Sequence, residues 1–209
     1  MYRLIIILLS VFLIGQSCSK KIITRKYYVV EFPEQPPENQ ARTDLLTKAT
    51  CEIATIKVSP AFAQHRIAVR NKSHQISYYF NHQWAVNPEE VFTHLLESHL
   101  QSQHIFTSVS RSVWKVIPEY QVNARVEQLE IIEQEDQFSA HLAMSLRFQD
   151  NNNRNTILLH SFDRSEILEE KNINLFAANI SRIYLEELNE FSKKIRRFVL
   201  RQAGPKGLE

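Results

Sequence analysis

The sequence predicts an α/β domain of the α+β kind: a mixed, largely antiparallel sheet with a hairpin and a meander, packed by a capped middle helix and a long C-terminal helix. Three observations predict it. Apolar residues alternate at Phe138, Ala140, Leu142, Met144, Leu146 and Phe148, the pattern of a strand with one buried face. Asn87-Pro88-Glu89-Glu90 opens a stretch in which Val91, Phe92, Leu95, Leu96 and Leu100 recur at helical spacing. Phe176, Ile180, Tyr184, Leu188, Phe191, Ile195 and Phe198 form one stripe of a helix expected from about Ile173 to Arg201.

The elements follow in order along the chain. Tyr27-Tyr28-Val29-Val30 reads as a first strand, and Pro33, Pro36 and Pro37 force the next segment out of regular structure. Residues from Cys51 to Ser59, rich in Ile, Val and Thr and stopped by Pro60, read as a second strand. Arg66-Ile67-Ala68-Val69-Arg70 and Gln75-Ile76-Ser77-Tyr78-Tyr79-Phe80 flank the polar Asn71-Lys72-Ser73-His74 and predict a hairpin.

The middle helix starts where Asn87 can cap, Pro88 suits the first helical position and the acids suit the helix dipole, and it is expected to end near Gln103. Phe106 to Val113 is a further strand candidate. Tyr120, Val122, Ala124 and Val126 alternate ahead of the Phe138 to Phe148 strand, and Asn155 to Phe162 adds a third member. The connectors Glu133 to Asp136 and Asp150 to Asn153 are turn-forming, so these three strands predict an antiparallel meander. In the last helix Glu186, Glu187 and Glu190 precede Lys193, Lys194, Arg196, Arg197 and Arg201, again in accord with the dipole, and Gly204 can terminate it.

Composition removes several function classes. The chain has 209 residues, a formal net charge of +2 and 44% hydrophobic residues, which fits one globular domain and gives no bulk attraction for nucleic acid. Its three glycines are Gly15, Gly204 and Gly207, so phosphate-cradling loops, dinucleotide fingerprints and the nucleophile elbow are all missing. No H-E-x-x-H, C-x-x-C or calcium-loop spacing occurs, and His94, His99 and His104, five residues apart, cannot share one helix face, so no metal or other cofactor is expected. These histidines are read as surface or partly buried polar residues. No catalytic residue is identified, and Cys51, in a strand-like context, is read as a buried small hydrophobe.

The N-terminus carries an address. After Arg3, the apolar run from Leu4 to Ile14 is interrupted only by Ser10, too short for the roughly 20 residues that span a bilayer but suited to a signal peptide. Cys18 follows small residues at the end of that run, where a lipoprotein signal places the thiol that receives lipid. Gly15 and Ser17 also satisfy ordinary signal peptidase, which would release a soluble periplasmic protein. The expected organisation is residues 1–17 as lipoprotein signal peptide, 18–26 as lipidated N-terminus and stalk, 27–203 as one domain and 204–209 as a tail. Lys20, Lys21, Arg25 and Lys26 make the stalk basic, fitting either a solvated linker or contact with anionic head groups. Ser19 after the cysteine, with no Asp there, points to the outer rather than the inner membrane.

The segment Tyr78-Tyr79-Phe80-Asn81-His82-Gln83-Trp84 is dense in aromatic residues just before the capped helix, and it fits either a core corner or a partner surface built on Tyr78, Tyr79 and Trp84.

The leader, Tyr28-Val29-Val30, Ile56-Lys57-Val58-Ser59-Pro60, Ile67-Ala68-Val69-Arg70 and Ile76-Ser77-Tyr78-Tyr79-Phe80-Asn81-His82-Gln83-Trp84-Ala85 resemble the ABC-type transport auxiliary lipoproteins, most strongly over residues 53–100. The resemblance implies a small α/β periplasmic domain, held by acyl chains and without catalytic residues. It would accompany a permease, an ATPase and an MCE-type substrate-binding protein that move lipids or other hydrophobic molecules, and contact between sister copies would be compatible with it. The alternative is an outer-membrane scaffold or lipid-carrier lipoprotein of another envelope assembly.

Overall fold

The structure is a computed structural model and describes residues 24–33, 45–72, 74–111, 117–134 and 137–203. In chain order the elements are β1 (Lys26–Tyr28), β2 (Thr50–Ile53), β3 (Lys57–Val58), β4 (Arg66–Lys72), β5 (Gln75–Trp84), α1 (Pro88–Ser102), β6 (Ser108–Ser110), β7 (Tyr120–Gln134), β8 (Gln137–Asp150), β9 (Thr156–Ile167) and α2 (Ile173–Ala203). The strands form one mixed sheet, and the fold class is the one the sequence predicts.

Strand β7 is the spine. One of its edges pairs antiparallel with β8 from Tyr120↔Asp150 to Gln134↔Gln137, and β8 pairs antiparallel with β9, giving the expected meander. The other edge takes three short strands in succession, all parallel: β2 at Val122, β3 at Val126 and β4 at Ile131. From β4 the sheet continues antiparallel to β5 and then parallel to β1, while β6 flanks β2. The parallel pairs join elements distant in sequence, which is why hairpin reasoning reaches only the local pairs.

A bulge lets β7 run fifteen residues against the core. Val122, Ala124 and Val126 are buried at even positions; the register shifts between Val126 and Gln128, and the buried apolar residues become Leu129 and Ile131. Strand β8 keeps its phase throughout, so the alternation from Phe138 to Phe148 points into the core as read from sequence.

Both helices cover the same face. Helix α1 begins as expected: Asn87 Oδ1 accepts from the Glu89 amide at 2.9 Å with Pro88 at the first position. Helix α2 begins behind Asn172, whose Oδ1 accepts from the Asn174 amide at 2.8 Å, and it buries Phe176, Ile180, Tyr184, Leu188, Phe191 and Ile195 against β8 and β9. Each such side chain contributes about 1.5–3 kcal/mol by leaving water, which outweighs the modest helix propensity of its aromatic and β-branched residues.

Three local expectations are corrected. The segment from Cys51 to Ser59 is two strands rather than one, because Ile56 turns inward and its amide bonds Thr93 Oγ of α1 at 3.0 Å instead of a neighbouring strand. Of the strand expected from Phe106 to Val113, residues 112 and 113 lie outside the described residues, and among the described ones only Ser108–Ser110 is strand; Phe106 packs as a core side chain, its ring 5.8 Å from that of Tyr120. His99 is not a surface histidine. It is 3% exposed, its Nε2 lies 3.0 Å from Ser192 Oγ, and burial pushes its pKa down to about 4, so the ring is neutral.

Glycine-free turns are made by polar side chains and left-handed residues. Between β8 and β9, Asp150 Oδ1 accepts from the Asn152 amide at 2.8 Å and Arg154 takes φ 58°; after α1, His104 takes φ 50°.

Candidate partner surface

The aromatic segment divides between core and surface. Its last residue, Trp84, is 3% exposed, and its indole lies 5.5 Å from the ring of Phe176 in the first turn of α2. Its backbone is held from both sides: the Trp84 amide donates to the His65 carbonyl and the Ala85 amide to the Tyr28 carbonyl at 2.8 Å. Trp84 therefore fastens the sheet to the helix. Tyr78 and Tyr79 are half-buried. The Tyr78 hydroxyl donates to the Ala61 carbonyl at 3.1 Å and its ring lies 5.1 Å from the Arg66 guanidinium. Tyr79 meets the His82 ring edge-on at 5.2 Å, and burial pushes its phenol up.

The exposed aromatic residue of the segment is Phe80, at 67%, accompanied by Tyr27 at 58% and by Val29 beside β1. Tyr28 stacks on His82, and its hydroxyl lies within hydrogen-bond distance of His82 Nδ1 at 2.6 Å. Burial and the nearby Lys26 lower the His82 pKa, and burial raises that of Tyr28.

Beside this surface lies a groove of about 920 Å³ between residues 27–33 and the start of α2. Tyr27, Val29, Phe32, Ala177, Ala178 and Leu185 give it apolar walls, while Glu31, Ser181 and Arg182 supply a polar rim. The N-terminal stretch is fixed there by the Glu31 amide, which donates to Ser181 Oγ at 3.1 Å. Cys18 lies outside the described residues. Thr24 lies six positions after it, a reach of about 20 Å at full extension, so a lipid on Cys18 would hold this end of the molecule close to a membrane.

The sheet face opposite the helices carries a buried ionic cluster that sequence reading did not find. Glu130 is fully buried; its Oε1 accepts from Arg70 Nε at 2.8 Å and from His141 Nδ1 at 3.2 Å, while His141 Nε2 donates to Asp163 Oδ1 at 2.8 Å. Burial alone would raise the Glu130 pKa, but the bonds from His141 and Arg70 outweigh it and hold the carboxylate below its usual range. Burial likewise opposes charge on His141, and its two carboxylates outweigh that and raise its pKa. The cluster ties β4, β7, β8 and β9 together across their register. No local motif announces it, because its bonded partners lie 11, 22 and 60 residues apart.

Among the described residues no group of three or more His, Cys, Asp or Glu is arranged to hold a metal ion. Cys51 is 1% exposed, and burial with Glu52 beside it pushes its thiol far up, away from the reactive thiolate form. No helix among the described residues is long and apolar enough to cross a membrane.

Comparison with known proteins agrees with this architecture. The model of the ABC-type transport auxiliary lipoprotein component family matches residues 28–190, from the end of β1 into the second half of α2. No curated protein matches the sequence. Among solved structures, an uncharacterised protein is similar over 82% of this chain and 99% of its own, with a TM-score of 0.65 at 12% identity. A protein from Xanthomonas campestris is similar over 86% of this chain and 95% of its own, with a TM-score of 0.59 at 13% identity. At such identities the two structures show a shared fold.

Proposed function

This chain belongs to the ABC-type transport auxiliary lipoprotein family, a family of transport auxiliaries rather than enzymes, and from that premise we propose that it is the non-catalytic accessory subunit of an MCE-type ABC system. In this reading Cys18 carries lipid and holds the domain at the periplasmic face of a membrane, the outer rather than the inner. The permease and ATPase supply the energy, and the MCE-type protein passes lipids or other hydrophobic molecules. The family match over residues 28–190 carries the reading. The partner surface is the exposed edge around Tyr78, Tyr79, Phe80 and Tyr27, with Trp84 supporting it from within.

The test is affinity purification of the full chain from envelope membranes. Co-purification of an MCE-type protein with permease and ATPase subunits is expected; recovery of none of them, together with unchanged envelope permeability on deletion, would sink the proposal. Labelling with radioactive palmitate, lost in Cys18→Ala, tests the anchor.

The apolar groove beside α2 favours a second reading, a lipid carrier. Its volume falls within the range of ligand pockets, and its walls suit an acyl chain. Lipid recovered by mass spectrometry from the purified chain, and lost in Ala178→Trp, would support it.

A further inference from the structure

The outer face of the sheet holds an arrangement that neither the fold nor the partner surface explains. A concavity of about 440 Å³ over β7 and β8 is lined in part by Lys57, Arg125, Arg147 and Arg154 and by no acidic side chain. Lys57 and Arg125 are register partners on adjacent parallel strands, and Arg147 stands opposite Asn123, two residues from Arg125. Like charges side by side on one sheet face cost stability unless a counter-charge is present. The chain supplies little of it: Arg125 meets Glu127 at 2.9 Å, both half-exposed, whereas Lys57, Arg147 and Arg154 have no ion pair among the described residues.

The floor of the concavity is ordered by side-chain amides. Gln121 donates to Glu52 Oε2 at 2.9 Å, and its own Oε1 accepts from Asn123 and Gln149, each at 3.0 Å. Asn123 and Gln149 each retain a second amide N–H for an acceptor oxygen. Arg154 reaches the rim from the β8–β9 turn in a left-handed conformation that costs a non-glycine residue energy.

We propose that this concavity is a phosphate-binding site in which Lys57, Arg147 and Arg154 neutralise the anion and the amides of Asn123 and Gln149 meet its oxygens. A single carboxylate is satisfied by one guanidinium, whereas several unneutralised cations around a polar floor suit a group with three or four acceptor oxygens. The volume suits a head group or a small phosphate ester. This goes beyond the transport reading and does not depend on which protein the chain accompanies.

The experiment uses the full chain in neutral detergent micelles and reads the anisotropy of a fluorescent phosphatidylglycerol, with phosphatidylcholine, inorganic phosphate and polyglutamate as competitors. Arg147→Glu and Lys57→Glu are each expected to weaken binding about tenfold, while Lys193→Glu on the exposed side of α2 leaves it unchanged. Lys57→Glu places a carboxylate beside Arg125, so its melting temperature should not fall and lost binding will not reflect unfolding. Competition by inorganic phosphate as strong as that by the lipid assigns the site to free phosphate; weak competition assigns it to a lipid head group. The proposal is overturned if both charge reversals bind like the native chain, if Lys193→Glu weakens binding equally, or if phosphatidylcholine competes as well as phosphatidylglycerol. Displacement of the probe by polyglutamate but not by phosphate or unlabelled phosphatidylglycerol also overturns it.

Discussion

The Tyr184 hydroxyl of α2 donates a hydrogen bond to the Phe92 carbonyl of α1 at 2.9 Å, and the two rings meet nearly edge-on with centroids 4.8 Å apart. Tyr184 is fully buried, and burial holds its phenol protonated and able to donate. One side chain thus joins the two helices on the same face of the sheet. Tyr184→Phe keeps the ring packing and removes the bond, so a loss of about 1–2 kcal/mol is expected in urea unfolding. Tyr184→Ala removes both and should cost about 3–5 kcal/mol.

Two histidines should give opposite pH dependences. The folded pKa of His99 is depressed to about 4 from 6.5, so the unfolded chain binds the proton first and stability falls as pH drops from about 6.5 towards 4. That loss amounts to about 3 kcal/mol in total, and His99→Gln should flatten it. The folded pKa of His141 is raised by Glu130 and Asp163, so its contribution is fully present below 6.5 and is lost as pH rises through the folded value. His141→Gln should therefore cost about 1–3 kcal/mol at pH 6 and less at pH 9, read from denaturation midpoints.

Within the aromatic segment, stability and association should separate. Trp84→Ala opens a cavity beneath α2 and is expected to cost about 3–5 kcal/mol. Phe80→Ser removes an exposed ring and should change stability by no more than about 0.5 kcal/mol while reducing recovery of the transport partner. Equal partner recovery by Phe80→Ser and the native chain would remove this edge from the interface.

Cys51 should resist a thiol reagent in the folded protein and react at once in denaturant, because both its burial and its raised pKa oppose thiolate formation. Measured in Cys18→Ala, which leaves this single thiol, rapid labelling under native conditions would contradict its place in the core.

The elements whose side-chain period matches a single regular structure were legible in the chain. Phe138 to Phe148 reads as a strand because every second residue meets the core, and the stripe from Phe176 to Ile195 reads as a helix for the corresponding reason at helical spacing. The start of α1 was legible as well, since Asn87 and Pro88 act through bonds made within a few residues. Local polar residues likewise marked the hairpin and the meander.

Contacts distant in sequence were decided by packing. Whether Trp84 faced a partner or the interior depended on where α2 would lie, and Phe176, ninety-two residues onward, settled that by meeting its ring. His99 continues the helical stripe of Phe92, Leu95 and Leu96, from which exposed His94 departs, so its spacing already pointed inward; the approach of Ser192 supplies the polar partner that lets the ring stay buried. The parallel seating of β2, β3 and β4 along β7, the bulge after Val126 and the Arg70–Glu130–His141 cluster all depend on strand register. A period-two pattern states which face is buried but not which strand lies alongside, so the family's fold could be read from order and pattern while its surfaces waited on the tertiary structure.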